Sequence, residues 1–487
     1  MKNLFTPIPL LAVVPMVAST SCQGEAKEAA QPNILVILCD DLGNGELSIY
    51  GHPVIKTPNL DQMANDGIML TNCYSASPVS SPSRAGLLTG RSPNRAGFYD
   101  FIPGPKRSED CRELVHLQEY EQTIPAMLKE VGYSTCLSGK WHCSSYFASD
   151  KQPNPDHFGF DHWFATHNNS APSHENPTNF VRNGEKAGNL TGFSCELVVD
   201  EALGWLSTRE KNNETNPFYL QVCFHEPHEP IASPKEITAE YMDKSINEYQ
   251  AEYYANVVNM DKQVGRLIEY LESNGYENTI VYFSSDNGPE TLNRYSRAIR
   301  SYGTTGGLKG MKLWTTDGGF HVPGIIYPIG MEMHKGQSDA IISSLDLMPT
   351  FAELAGATLP DVILDGESFV SLLKTGDKER VKPLTWAFYD ALNDHVVATR
   401  TEEWKILARL KNGEEYLPKL HNIYDGNIDY IKSFELTDFE LYHIAQDRNE
   451  TTEVSAKYPA EFEKMKALIN KQYGELLEGS HVWSRNE

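Results

Sequence analysis

The sequence predicts an α/β fold: a large mixed, mostly parallel sheet flanked by helices, followed by a smaller C-terminal α+β domain. Three observations carry this. Residues 33–39, 218–224 and 279–283 are continuous apolar runs rich in β-branched and aromatic residues, the pattern of strands buried on both faces. Stretches with helical spacing of apolar residues lie between them, the alternation that builds α/β sheets. From about Pro383 the pattern changes to short strands joined by polar turns, as in an antiparallel sheet.

With 487 residues the chain exceeds one ordinary domain. Residues 1–21 read as a targeting segment, with Lys2 as the charged start and residues 4–18 apolar apart from Thr6 and the prolines. Ser19-Thr20-Ser21-Cys22 resembles a bacterial lipoprotein cleavage site with Cys22 as the lipidated residue. Secretion across the inner membrane follows, to the periplasm or outer surface, with membrane contact only through that anchor. Residues 22–31 form a polar tether, 32–382 the main domain and 383–487 the smaller one, and no later apolar run is long enough to span a bilayer.

The chain carries 42 Lys+Arg against 66 Asp+Glu, a formal charge of −24, without a basic patch, which excludes a nucleic-acid partner. Such a charge repels anions at long range, so an anion site needs local cations or a metal. Seven cysteines remain after Cys22, so at least one thiol is free, and Cys39, Cys73 and Cys223 read as small core residues. There is no CxxC pair and no zinc spacing.

The strand over 33–39 ends in Asp40-Asp41-Leu42-Gly43, two adjacent carboxylates where α/β sheets bind ligands. A helix over 57–67 is capped by Thr57 with Pro58 at its first position, and a strand over 68–74 follows. Residues 80–91, Ser-Ser-Pro-Ser-Arg-Ala-Gly-Leu-Leu-Thr-Gly-Arg, then open a helix, and a cap at Ser80 or Ser81 is the bland reading of its serines. A helix over 122–131 precedes a strand over 133–137, which leads to Lys140 and His142. Residues 150–189 are irregular and too long for a passive connection, a functional loop in which His174 and Arg182 read as substrate-facing. After a helical stretch over 195–206, the strand over 218–224 ends in His225-Glu226-Pro227-His228-Glu229-Pro230, held rigid by its prolines. A helix over 249–273 precedes the strand over 279–283, which ends in Asp286-Asn287-Gly288. A glycine-rich segment over 303–323 contains Lys309, Lys312 and His321, the last also read as substrate-facing. A short strand over 325–327 and a helix over 345–355 complete the main domain. Strands over 384–388, 395–400 and 404–410 and a helix over 458–477 make the smaller one.

Asp40, Asp41, Asp286 and the amide Asn287 all follow predicted strands, and such hard oxygen ligands suit Ca²⁺ or Mg²⁺ rather than zinc. Arg84, Lys140 and Lys312 add positive charge, and His142 and His228 can move protons near neutral pH. A nucleophile at a helix start, a divalent metal and a ring of cations suit displacement at sulfate or phosphate.

Ser80-Ser81-Pro82-Ser83-Arg84 with Leu88-Thr89-Gly90-Arg91 resembles the signature of the type I sulfatases, in particular the bacterial carbohydrate sulfatases. Other motifs of that family fall in order: residues 33–43, Gly139-Lys140-Trp141-His142, Pro227-His228-Glu229-Pro230, Ser285-Asp286-Asn287-Gly288, Leu308-Lys309-Gly310-Met311-Lys312, Asp346-Leu347-Met348-Pro349-Thr350 and Leu364-Asp365-Gly366. Asp317-Gly318-Gly319-Phe320-His321-Val322-Pro323 matches Glu-Gly-Gly-x-Arg-Val-Pro with two departures, Asp317 for Glu and His321 for Arg. The resemblance spans about residues 31–450.

It implies an alkaline-phosphatase-like fold and one Ca²⁺ held by Asp40, Asp41, Ser80, Asp286 and Asn287. Ser80 would be oxidised to formylglycine (3-oxoalanine) by a formylglycine-generating maturation enzyme. One hydroxyl of the hydrated aldehyde would attack sulfur, with Ca²⁺, Lys140 and Lys312 on the sulfate oxygens and Arg84 supporting the hydrate. His228 would protonate the departing sugar oxygen, and His142 would take a proton from the second hydroxyl as sulfate leaves. The implied substrate is a sulfated carbohydrate, a glycosaminoglycan or another glycan, with a galactose or N-acetylgalactosamine sulfate suggested by the segments around His228 and Lys312. Two other readings stand beside it: a phosphate-ester hydrolase or transferase of the same superfamily, and an unmodified protein that binds sulfated glycans.

Overall fold

The computed structural model describes Met1 and residues 31–291, 294–295 and 298–486, and residues 31–487 form one compact unit. The targeting segment, most of the tether and Cys22 lie outside the described residues. A ten-stranded sheet contains β1 (Asn33–Cys39), β2 (Ile68–Tyr74), β3 (Ser134–Lys140), β4 (His162–Thr166), β5 (Val181–Arg182), β6 (Glu185–Lys186), β7 (Phe218–Cys223), β8 (Thr279–Ser285), β9 (His321–Ile329) and β10 (Gly336–Ser343). Their order is β10-β2-β9-β8-β1-β7-β3-β4-β5-β6.

The middle of this sheet, β8-β1-β7-β3-β4, is parallel throughout. β9 runs antiparallel to both β8 and β2, so β2 points the same way as β8. β1, β2, β3, β7 and β8 therefore deliver their carboxyl ends to one edge. β1, β7 and β8 are buried on both faces, which is why they read as largely apolar runs.

The smaller sheet is antiparallel: β11 (Leu384–Ala387), β12 (Val397–Arg400), β13 (Lys405–Asn412) and β14 (Glu415–Tyr416) in order, with β15 (Glu435–Tyr442) on the other side of β13. Leu347 and Phe351 from the main part share one apolar core with Phe388, Tyr389 and Val397 of the smaller part. All seven described cysteines are buried and unpaired.

Several elements differ from expectation. β3 runs on to Lys140 and β9 covers nine residues rather than three. The loop over 150–189 contributes β4, β5 and β6, which extend the sheet beyond β3. β10 carries only Ala340-Ile341-Ile342 as an apolar run and β15 none of that length, and both owe their strand form to their partners β2 and β13.

Candidate active site

β1 and β8 pair in register, with Cys39 opposite Ser285, so Asp40 and Asp286 leave adjacent strands at the same level. Asp41 turns through a left-handed conformation (φ 64°), and its N–H donates to Asp286 Oδ1 at 3.2 Å. Lys140 closes β3, which only β7 separates from β1. Before it, Gly139 (φ 115°) packs so tightly on β7 that an added Cβ would lie 1.8 Å from Cys223 O.

The helix Ser80–Thr89 opens after an extended Val79, and no side chain caps it. The cap reading of Ser80 and Ser81 therefore fails. Ser81 Oγ accepts from Ile102 N at 3.0 Å. Ser80 Oγ lies 3.2 Å from Asp40 Oδ1 and 3.3 Å from Asn287 Oδ1, and accepts from Lys140 Nζ at 3.3 Å. It is buried among charges, where an ordinary serine gains little.

Three carboxylates meet three cations here. Lys140 Nζ is 2.7 Å from Asp40 Oδ2, Lys312 Nζ is 2.8 Å from Asp41 Oδ2, and Arg84 NH2 is 2.8 Å from Asp286 Oδ2. Burial alone would raise the Asp40 carboxyl, but Lys140, His228, Arg84 and Lys312 hold it well below the usual carboxylate range. Burial lowers the Lys140 ammonium against the pull of Asp40. It opposes the charge on Lys312 as well, yet Asp41 and Asp40 keep that ammonium above its ordinary value.

The same residues fit a hard divalent cation. Asn287 Nδ2 donates to Asp41 Oδ1 (2.7 Å) and Gly288 O (2.9 Å), which leaves its Oδ1 beside Ser80 and the carboxylates. Three carboxylates and an amide oxygen, with no thiol, are the donor set of Ca²⁺ or Mg²⁺. Asp40 and Asp41 also each present an oxygen within 4.8 Å of a His228 nitrogen.

Backbone carbonyls accept from opposite ring nitrogens of the two histidines. His142 Nε2 lies 3.0 Å from Ile102 O and must donate to it, so Nδ1, buried and without a hydrogen-bond partner, carries the lone pair. Burial, with Lys140 and His167 beside it, holds this imidazole well below its ordinary pKa, so the ring is neutral. His228 Nδ1 donates to Glu229 O at 2.6 Å, and its Nε2 lies 3.6 Å from Asp41 Oδ2.

Ser80, Lys140, His142, His228 and Lys312 line a cavity of about 420 Å³. Arg84 is buried behind them, donating to Asp286 and to Lys140 O. The three residues read as substrate-facing are not brought there. His174 is buried, with Nδ1 at 3.5 Å from Glu226. Arg182 lies on β5, next to the sheet edge, paired with Glu201 at 2.5 Å. His321 starts β9 and bridges Asp317 Oδ2 (3.0 Å) and Thr71 O (2.8 Å).

Asp317, one of the two departures from the family motif, holds a buried network. It accepts from Tyr74 Oη (2.8 Å) and Lys405 Nζ (2.6 Å), and Lys405 also reaches Glu450 at 2.7 Å. The following glycines clamp the neighbouring loops: Gly318 N donates to Lys309 O and Gly319 O accepts from Gly288 N, each at 2.8 Å. Asp317 and its glycines thus tie the Lys312 loop to the Asn287 loop and to β13.

Six further polar or aromatic cavity residues carried no motif: Phe101, Asn168, Asn169, Arg294, Tyr295 and Asp390. Only Asn168 and Asn169 had a signal, their place in the long loop after β3.

The Sulfatase family model matches residues 32–357. The chain belongs to the sulfatase family. This sulfatase is 29% identical to human N-acetylgalactosamine-6-sulfatase over 92% of its own length and 86% of that protein. It is 32% identical to arylsulfatase A of Bos taurus, covering 77% and 75% of the two chains. Among solved structures it resembles Ps i-CgsB in complex with k-i-k-neocarrahexaose (26% identity, TM-score 0.71, 93% of this chain and 94% of that one). The alkaline-phosphatase-like sulfatase fold expected from its motifs is the one observed.

Proposed function

We propose that this sulfatase removes sulfate from a sulfated carbohydrate through a formylglycine made from Ser80 by a maturation enzyme, with one Ca²⁺ held by Asp40, Asp41, Asp286, Asn287 and residue 80. The observation that carries this reading is Ser80 Oγ, which caps nothing and sits between Asp40, Asn287 and Lys140. An unmodified serine could attack sulfur once but would remain a stable sulfate ester, whereas a hydrated aldehyde keeps a second hydroxyl that can expel sulfate. The metal, when bound, supplies positive charge to the sulfate oxygens.

The chain's own residues do the rest. Lys140 and Lys312 hold the sulfate in line with residue 80, and their charges oppose the charge that develops on its oxygens. His228 is pinned at Nδ1 and, as the imidazolium, donates its Nε2–H proton to the departing ester oxygen. His142 is pinned at Nε2 and offers Nδ1 as the base that takes a proton from the hydroxyl on residue 80. Arg84 is spent on Asp286 and Lys140 O, so it fixes the metal loop and β3 rather than touching the ester.

The relatives named N-acetylgalactosamine-6-sulfatase and the neighbour in complex with k-i-k-neocarrahexaose support a galacto-configured sugar. Secretion and a lipid on Cys22 complete the reading. Mass spectrometry of the Ser80 peptide from the native host tests its centre: formylglycine lowers the mass by about two hydrogens. A peptide carrying only serine would refute the formylglycine route. Hydrolysis restricted to glucosamine sulfates would refute the galacto assignment.

A further inference from the structure

The cavity around Ser80 is cationic: Lys140, Lys312 and Arg294 line it beside two histidines. One lining residue, Asp390, is a carboxylate, supplied by the turn after β11 in the smaller sheet. A carboxylate placed against sulfate would repel it, so Asp390 belongs to the part of the cavity that takes the alcohol side of the ester. Its side chain is 17% exposed, which leaves it open to a ligand hydroxyl. A small network offsets and orients it. His421 Nδ1 lies 2.8 Å from Asp100 Oδ2 and 3.7 Å from Asp390 Oδ2, and Arg112 NH2 lies 3.4 Å from Asp100 Oδ2.

Phe101 lines the same cavity and is 41% exposed, against near-complete burial of most aromatic residues in this chain. The ring is not loose. Its backbone N–H donates to Asp100 Oδ1 at 2.7 Å, and the Arg112 guanidinium stacks 4.8 Å from its centroid. A fixed, exposed ring beside an accessible carboxylate matches a pyranose, which has an apolar C–H face and hydroxyls at its edge. An axial hydroxyl leaves the opposite face of a galacto ring as an unbroken run of C–H groups, suited to stacking.

We propose that Phe101 and Asp390 form the subsite for the sugar ring released by hydrolysis, with the ring on Phe101 and a ring hydroxyl donating to Asp390. This rests on the carbohydrate-sulfatase reading above and assigns one of its two sugar contacts, Asp390, to the smaller domain. A neutral hydroxyl bonded to a carboxylate is among the stronger hydrogen bonds, and an aryl sulfate has no such hydroxyl to lose.

The experiment compares wild type, Asp390→Ala, Asp390→Asn and Phe101→Ala, each normalised for formylglycine content. Substrates are 4-methylumbelliferyl sulfate and the 4- and 6-sulfates of galactose, N-acetylgalactosamine and N-acetylglucosamine. Asp390→Ala should lower kcat/KM on the preferred sugar sulfate about 10- to 100-fold while changing the aryl sulfate less than about threefold. Phe101→Ala should lower both, since an aryl ring also stacks. Equal losses on sugar and aryl substrates in Asp390→Ala, or no loss on either, would overturn the subsite. Should Asp390→Ala fail to fold, the near-isosteric Asp390→Asn, which keeps an acceptor but loses its charge, should still lower the sugar rate selectively by about three- to tenfold, and no selective loss would overturn the subsite. A wild type that cleaves aryl sulfate but no sugar sulfate would overturn the carbohydrate reading itself, and the subsite with it.

Discussion

Replacing Lys140 by methionine removes the ammonium that sits 2.7 Å from Asp40 Oδ2 and 3.3 Å from Ser80 Oγ while keeping most of the side-chain volume. Lys140 and Asp40 are both almost fully buried, so the carboxylate cannot turn to water for compensation. Deleting one partner of such a pair costs about 3–5 kcal/mol, and Arg84, Lys312 and His228, which also act on Asp40, keep the loss near the lower figure. The rate should fall about 10²–10³-fold, as when one donor to a developing oxyanion is lost. Urea unfolding followed by tryptophan fluorescence, beside turnover of an aryl sulfate, measures both. The two losses should respond differently to calcium. At about 100-fold excess over its Kd, a cation on Asp40 returns about 2.7 kcal/mol of stability but none of the lysine's contact with sulfate. Acidification should also narrow the stability gap, because without Lys140 burial favours the protonated carboxyl of Asp40. A calcium-free deficit below about 1 kcal/mol, or a rate within about threefold of wild type, would refute the role given to this lysine.

Glu46→Gln tests a buried acid beside the metal loop. Burial pushes the Glu46 carboxyl up to about 8, against hydrogen bonds from Tyr253 and the backbone of Gly43. Its folded pKa is thus raised, so its stabilisation is complete below about pH 4.5 and lost as pH rises towards 8; the ceiling is about 5 kcal/mol at about 1.4 kcal/mol per pKa unit. Melting temperatures across that range should slope downward in wild type and flatten in Glu46→Gln; parallel slopes would sink the assignment. Lys405→Met strands Asp317 and Glu450, both buried carboxylates, and should cost about 3–5 kcal/mol by equilibrium denaturation, less below pH 7, where Glu450, pushed by burial to about 7, takes up a proton. A variant as stable as wild type at pH 8 would show that Asp317 is not held as described.

The site was legible because its parts come from strand ends. β1, β7 and β8 are buried on both faces, which forces continuous apolar runs, and the first polar residues after each run stand out. Asp40, Asp286 and the Lys140–His142 pair could be found in that way, while the matching motifs selected His228 over His225, selected Lys312 and gave Ser80 its expected role. The residues proposed to face the sugar were not legible, since a polar residue in a loop looks the same whether it meets a ligand or a neighbour. His174, Arg182 and His321 had the right chemistry, but burial and ion pairing use them elsewhere. Asp390 sits in a short turn of the smaller sheet with nothing around it to mark it.

The amino-acid sequence alone determined the α/β class and the strands from whose ends the proposed catalytic groups come. Apolar periodicity and residue chemistry are local properties, readable from one stretch at a time. Only the tertiary structure decided which nitrogen of each histidine is free, because the carbonyls of Ile102 and Glu229 pin the rings. It also decided which cation pairs with which carboxylate, and that an aromatic ring and an acid more than 280 residues apart share one cavity wall. Those are facts of distance between remote segments, set by how the two sheets pack on a common core, and no single stretch of the chain contains them.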